Sequence, residues 1–122
     1  MATRIVNQTR GNVVCERTEV AANMFTRMRG LLGRAGLADG EGMFFRNESS
    51  LHSAFMRFDF DAVFMDRDMR VVKTVERIPP WRAQRARGTR HILELSAGAI
   101  ARSGVQVGDQ LAVLEDGDDG TA

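Results

Sequence analysis

Residues 52 to 66 read His-Ser-Ala-Phe-Met-Arg-Phe-Asp-Phe-Asp-Ala-Val-Phe-Met-Asp, and the second half of this stretch decides the fold. Apolar and acidic residues alternate there with the period of two that is typical of a β-strand. Such a strand places Asp61 on the same face as Val63 and Met65 and turns Phe64 to the other face. An unpaired acid at the margin of an apolar layer is costly. We therefore expect Asp61 to be held by a partner or to serve a function.

The composition is that of one small globular domain. The chain has 122 residues, of which 43% are hydrophobic and 27% are charged, which argues against disorder along its whole length. Cys15 is the single cysteine, so an internal disulfide and a multi-cysteine metal site are excluded. Because it follows Val13 and Val14, we expect Cys15 to be a small buried apolar side chain.

The charge of the chain is unevenly distributed. Residues 115–122 contain four acids and no base, so we predict a disordered acidic tail after a single domain over residues 1–114. Without that tail, 17 basic residues face 12 acidic ones, and 16 of the basic residues are arginine. No apolar run has the length of a signal peptide or a membrane span. We expect a cytoplasmic protein that does not associate with membranes.

Hydrophobic periodicity predicts mostly strands. Apolar residues at spacings of three and four indicate one main helix over about 21–32, and a short helix is expected over about 97–102. The strands are predicted at residues 3–8, 12–18, 43–45, 52–57, 61–66, 71–78, 91–95 and 109–114, with an arginine-rich loop over 82–90. Short turns between strands favour antiparallel pairing over parallel βαβ crossovers. The prediction is an α+β domain of seven to eight short strands, forming a mostly antiparallel sheet or a small open barrel.

Four blocks of this sequence resemble the DUF192 (UPF0127) domain of prokaryotes. They comprise residues 29–34; residues 42–45; residues 52–57 with 61–66 and 71–72; and residues 93–98 with 108–109. Together they follow the order of that family along nearly the whole chain. The resemblance implies a small, largely β domain with a concave surface near the shared polar residues, and it implies no particular activity.

The best candidates for a polar functional site are the side chains of His52, Asp61, Asp66 and Glu94. Imidazole and carboxylate groups can bind a metal ion or act as general acids and bases. The second histidine, His91, lies far along the chain, and the sequence contains no clustered metal-ligand spacing. We therefore expect no metal site and no cofactor.

The leading functional hypothesis is a non-enzymatic binding module with a polar groove. The residues expected to line this groove are Arg29, Arg34, His52, Met56, Asp61, Trp81 and Glu94. The two arginines are expected to pair with buried acids such as Asp61 or Glu94; the alternative is that their guanidinium groups bind an anionic ligand. The expected ligand is a small polar molecule, a glycan or a protein segment.

Two alternatives remain open at the level of sequence. The first is a hydrolase in which His52 is the general base, oriented by Asp61 or Glu94. The second is binding of an anion or a nucleic acid through residues 77–90, which contain five arginines, Trp81 and no acid. Arg82, Arg85 and Arg87 would carry that binding. The simpler interpretation of this segment is a solvated charged loop with Trp81 capping the core.

Overall fold

The computed structural model describes residues 3–21, 36–52 and 58–115, with the backbone alone described for Ala21 and His52. Ten strands and one short helix lie within these residues. The strands are β1 Thr3–Asn7, β2 Asn12–Cys15, β3 Arg17–Ala21, β4 Glu41–Arg46, β5 Ser50–His52, β6 Phe60–Met65, β7 Val71–Ile78, β8 Ala83–Arg85, β9 His91–Ser96 and β10 Leu111–Glu115. The helix, α1, is Ala99–Ser103.

The ten strands form three sheets. The largest has the order β3-β4-β9-β6-β7, a second has the order β10-β1-β2, and β5 pairs only with β8. All three sheets are open, so the described strands form no closed barrel. The pairs are antiparallel except for β3 and β4, which are parallel. A mostly antiparallel α+β fold is confirmed, whereas the expected strand count was too low and the parallel pair was not foreseen.

The five-stranded sheet carries apolar residues on both faces because its central strands, β6 and β9, are buried along their whole length. Val63, Met65 and Leu93 belong to one buried cluster, on the side of α1. Phe64 and Ile92 belong to the other. A strand that is covered on both faces reads as a nearly continuous apolar run. The predicted division of strand β6 into two faces is confirmed.

The strand predicted over residues 12–18 is two strands that belong to different sheets. It breaks at Glu16, where the backbone N–H groups of Glu16 and Arg17 both donate to the carbonyl oxygen of Gly40, at 3.0 and 2.8 Å. β2 pairs with β1 before this break, and β3 pairs with β4 after it. Before Glu16, Val14 and Cys15 pack into the cluster on the side of α1. After it, Val20 of β3 is 47% exposed.

The helical predictions have mixed outcomes. The short helix predicted over 97–102 is present as Ala99–Ser103 and ends at Gly104, whose φ is 74°. Ala21 is the last residue of β3, and the rest of the helix predicted over 21–32 lies outside the described residues. Among the helices that the structure describes, none is long and apolar enough to cross a membrane. Glu115 ends β10, and the remainder of the predicted tail lies outside the described part of the chain.

A buried polar network joins the first and last strands. The carboxylate of Asp109 accepts hydrogen bonds from Asn7 Nδ2 at 2.9 Å, Arg10 Nε at 2.7 Å and the backbone N–H of Gln106 at 3.0 Å. Burial alone would raise the pKa of Asp109, but the hydrogen bonds from Arg10, Asn7 and Gln106 outweigh it and lower that pKa. The φ of 96° at Gly108 provides the tight turn that the sequence predicted before β10.

Candidate functional site

Asp61 is completely buried, and backbone N–H groups donate hydrogen bonds to both oxygens of its carboxylate. Oδ1 accepts a hydrogen bond from the N–H of Arg77 at 2.9 Å, and Oδ2 accepts from the N–H groups of Gly98 and Ile100 at 3.1 and 3.0 Å. Two of these donors lie at the beginning of α1, where backbone N–H groups have no partner inside the helix. Asp61 therefore joins β6 to α1 and to the end of β7.

The contact between Asp61 and Arg77 holds a strained backbone. Arg77 has a φ of 52°, in the left-handed region that is unfavourable for residues other than glycine. The hydrogen bond to Asp61 fixes this conformation two residues before Pro79. Asp61 is thus held by partners, which was one of the two expectations for it, and it sets the path of the chain toward Trp81.

Glu94 lies on the opposite face of the sheet from Asp61. It is buried in the middle of β9, and its cross-strand neighbours are Met43 and Ala62. Those neighbours belong to the cluster that faces away from α1, whereas Asp61 faces α1. Asp61 and Glu94 were expected to line one groove, but the five-stranded sheet separates their side chains. The alternative in which Asp61 or Glu94 orients His52 stays a prediction.

The other residues of the predicted groove have different outcomes. Arg29, Arg34 and Met56 lie outside the described residues, so their predicted roles stay predictions. The backbone of His52 ends β5 and pairs with Ala83. The expectation that Trp81 caps the core was wrong, because 62% of Trp81 is exposed. Its φ of 64° is a second left-handed conformation, and it lies next to Pro80.

The arginine-rich segment is a strand ribbon and not a simple loop. We call residues 50–52 and 81–87, which contain the paired strands β5 and β8, the basic ribbon. Its inner side is anchored, because Leu51 is buried and Ala86 packs against the same apolar cluster. Lys73 Nζ donates to the carbonyl oxygen of Arg85 at 3.0 Å. This pairing places the backbone of His52 beside Ala83, two residues after Trp81, so two residues expected in the predicted groove belong to one ribbon.

The outer side of the basic ribbon carries positive charge. Ala83 and Arg85 are exposed and alternate with the half-buried Gln84, and both Arg82 and Arg87 are exposed. Within the described residues, the guanidinium groups of Arg85 and Arg87 form no ion pair. An arginine that has no acid beside it retains all its donors for an external anion.

Two arginines of residues 77–90 lie away from the ribbon. The Arg77 guanidinium is next to Gly98 at the beginning of α1. Arg90 lines a separate cleft of about 470 Å³ between residues 66–68 and 88–90. That cleft contains two acids, Asp66 and Asp68, beside its arginines. That cleft therefore places acids beside its arginines, whereas residues 81–87 contain no acid.

A shallow cleft of about 390 Å³ lies on the basic ribbon itself. Its walls are formed by Ser50, Leu51, Ala83, Gln84 and Arg85. The volume falls within the range of roughly 300–1,000 Å³ that is usual for ligand sites. The ribbon therefore offers a recess as well as a charged surface.

The described residues show neither an activated nucleophile nor a metal-binding cluster. Burial raises the pKa of the Cys15 thiol, and its Sγ lies 3.4 Å from the carbonyl oxygen of Gly40. The expectation that Cys15 is a buried apolar side chain is confirmed. Within residues 3–21, 36–52 and 58–115, no group of three His, Cys, Asp or Glu residues is placed to bind a metal ion.

His91 is the histidine whose surroundings are described. Its Nδ1 accepts a hydrogen bond from the backbone N–H of Asn47 at 3.2 Å, and its ring packs 5.7 Å from that of Phe44. Burial lowers the pKa of His91, and the nearby charges of Arg46 and Arg90 lower it further. Nδ1 must be unprotonated to accept the bond from Asn47. His91 is therefore a neutral structural residue at the beginning of β9.

We expect this histidine to make the fold less stable in mild acid. Since its folded-state pKa lies below the ordinary value of 6.5, the folded protein binds fewer protons than the unfolded chain just below that pH. The contribution of neutral His91 to the free energy of unfolding is complete above about pH 6.5. It is lost as the pH falls, by at most about 1.4 kcal/mol per pH unit. Urea denaturation at about pH 7.5 and 5.5 measures the free energy of unfolding at each pH. The decrease between the two pH values should be smaller for His91→Gln than for the native chain. Equal differences would contradict this assignment.

The sequence contained weak signals for what it missed. Residues 83–85, Ala-Gln-Arg, form a strand, but three residues without a β-branched or aromatic side chain do not predict one. The placement of Asp61 and Glu94 on opposite faces of the sheet depends on the register of β6 against β9, in which Asp61 lies opposite Leu95. A single sequence does not give that register.

Comparison with known proteins identifies relatives over nearly the whole chain. The profile of the DUF192 family, described as "Uncharacterized ACR", matches residues 5–113. A UPF0127 protein of Thermococcus sibiricus is 29% identical over 112 residues, which covers 88% of this chain and 72% of that protein.

Two crystal structures have similar folds. One, from Sinorhizobium meliloti, has a description that proposes a role as a transcription regulator; its TM-score is 0.76 at 25% identity, with 91% of each chain covered. The other, a protein of unknown function from Novosphingobium aromaticivorans, has a TM-score of 0.74 at 26% identity, covering 90% of this chain and 82% of that one. With the family match over residues 5–113, these likenesses lead to one conclusion: the chain belongs to the DUF192 family.

Proposed function

We propose that this protein is a non-enzymatic binding module that takes an anionic ligand on the basic ribbon. The observation that carries the proposal is the outer surface of residues 81–87, where Arg82, Arg85 and Arg87 are exposed beside Trp81 and no acid occurs in that stretch. Guanidinium groups bind carboxylate and phosphate oxygens through paired hydrogen bonds.

The surroundings of the two buried acids support binding over hydrolysis. The hydrolase hypothesis required Asp61 or Glu94 to orient His52. The Asp61 carboxylate accepts hydrogen bonds from the backbone N–H groups of residues 77, 98 and 100. Glu94 lies inside the apolar layer on the other face of the sheet. Neither carboxylate is exposed to solvent.

The ribbon also has the rigidity that a binding surface needs. The ladder between β5 and β8, the buried Leu51 and the hydrogen bond from Lys73 fix its backbone, so little conformational freedom is lost when a ligand binds. The S. meliloti relative, with its suggested role in transcription regulation, is compatible with an anionic partner for this chain.

Inorganic polyphosphate tests the proposal because it offers negative charge without any other recognition feature. We expect calorimetric titration to show binding that weakens as salt is added. Changing Arg82, Arg85 and Arg87 together to glutamine should weaken binding about 3- to 150-fold, since each exposed ion pair contributes about 0.2–1 kcal/mol. A matched control changes Arg17, Arg67 and Arg70 to glutamine, which removes the same charge elsewhere. Equal losses in both variants, or no binding by the native chain, would refute the proposal.

A further inference from the structure

We infer that the anionic ligand of the basic ribbon is a single-stranded nucleic acid. The inference rests on the proposed function and specifies it. It begins with Trp81, which is the only tryptophan of the chain and is 62% exposed. A large aromatic ring contributes most to stability when it is buried. Its exposure to solvent, one, four and six residues before Arg82, Arg85 and Arg87, therefore suits contact with a ligand.

The ribbon combines a flat apolar ring with cations in adjacent positions. Arg82 follows Trp81 directly and its guanidinium donates to the Trp81 carbonyl oxygen at 3.3 Å. Arg85 and Arg87 follow within the next five residues. An unpaired nucleotide has the matching pair of features, a base that stacks on an aromatic ring and a phosphate that binds arginine. An acidic protein segment would use the arginines and leave the indole without a comparable contact, and a neutral glycan would do the reverse.

The shape of the surface favours single strands over duplexes. The ribbon presents two strands of three residues each. Duplex recognition commonly inserts a helix or a long two-stranded ribbon into a groove. The bases of a duplex, moreover, are stacked on each other and hide the faces that an indole needs. A short surface with one exposed ring and three cations fits a short stretch of unpaired nucleotides.

The expected affinity depends on salt only moderately. The net charge of the whole protein is +1, so the ribbon supplies the attraction. Three arginine–phosphate contacts on a single strand give a slope of about −2 when the logarithm of the binding constant is plotted against that of the salt concentration. The variant with glutamine at positions 82, 85 and 87 should lose nearly all of this slope.

The test is a titration with a single-stranded oligonucleotide of about ten nucleotides, near the site sizes known for short binding surfaces. The emission of Trp81 reports stacking without ambiguity because no other tryptophan is present. We expect quenching, together with tighter binding than to a duplex of the same sequence or to an abasic strand of the same length. With a labelled strand, Trp81→Ala should weaken binding about 5- to 150-fold. Trp81→Phe should retain most of the affinity, and neither variant should change binding of the abasic strand.

The outcomes separate this inference from the proposed function. If the abasic strand and polyphosphate bind as tightly as the oligonucleotide, the ribbon takes anions without contacting bases, and the inference fails while the proposed function stands. Tighter binding of polyglutamate would point to an acidic protein and would also overturn it. If the native chain binds none of these probes, the inference and the proposed function fail together.

Discussion

Replacing Asp61 by alanine is expected to lower the free energy of unfolding by about 3–5 kcal/mol, because one buried and two partly buried hydrogen bonds from backbone N–H groups lose their charged acceptor at once. Asparagine should also destabilise the protein, since its amide nitrogen would face an N–H donor at one of the two oxygen positions. Urea denaturation followed by circular dichroism measures both effects.

Asp59 provides the matched control for this substitution. It is an aspartate two residues earlier and is exposed, so Asp59→Ala should change the free energy of unfolding by about 0.5 kcal/mol or less. A loss of under about 1 kcal/mol for Asp61→Ala would show that the three hydrogen bonds do not hold α1 and the end of β7 in the way described.

Replacing Gly42 by alanine should cost about 2–3 kcal/mol, because the added methyl group has no room. A Cβ at this position would lie 2.7 Å from the carbonyl oxygen of Glu94 and 2.8 Å from Sγ of Cys15. The first contact is with the backbone of the neighbouring strand, which cannot move without breaking the ladder between β4 and β9. Thermal and urea denaturation measure the loss.

Gly36 is the control for Gly42. A Cβ at Gly36 meets nothing within 4 Å, so Gly36→Ala should be neutral or slightly stabilising. Equal stability of the two alanine variants would contradict the close packing of β4 against β9 and Cys15 at Gly42.

Three strands of the five-stranded sheet, β6, β7 and β9, could be predicted because their signal is local. The edge strand β7, residues 71–78, has the predicted bounds. β6 is shifted by one residue at both ends, and β9 is longer by one residue at its end. Alternation of apolar and polar residues indicates a strand, and shortness with β-branched or aromatic residues favours a strand for a continuous apolar run. The parallel pairing of β3 with β4 joins residues more than 20 positions apart, and no local pattern encodes such a contact.

The candidate site could be predicted only in part, for two physical reasons. Burial of Asp61 followed from the apolar layer around it, but its partners at Gly98 and Ile100 lie 37 and 39 residues away. Trp81 was expected to cap the core from a solvated charged loop. The left-handed backbone at Arg77 and Trp81 instead accompanies its exposure, and such a conformation depends on tertiary contacts that the sequence does not display.

These contacts give Asp61 a positioning role toward the ribbon. By holding Arg77 in its left-handed conformation, Asp61 fixes the chain four residues before Trp81. In the Asp61→Asn variant, we expect the emission of Trp81 to report a changed environment under conditions where the protein remains folded. An unchanged spectrum would separate the buried network from the ribbon.

The claim that the basic ribbon is the binding surface is tested most directly by amide NMR of the isotope-labelled protein during titration with a single-stranded oligonucleotide and, separately, with polyphosphate. Our account predicts chemical-shift changes clustered at residues 50–52 and 81–87, with the indole N–H of Trp81 responding to the oligonucleotide alone. Shifts clustered instead at the cleft of residues 66–68 and 88–90, or an unchanged spectrum with both probes, would contradict it.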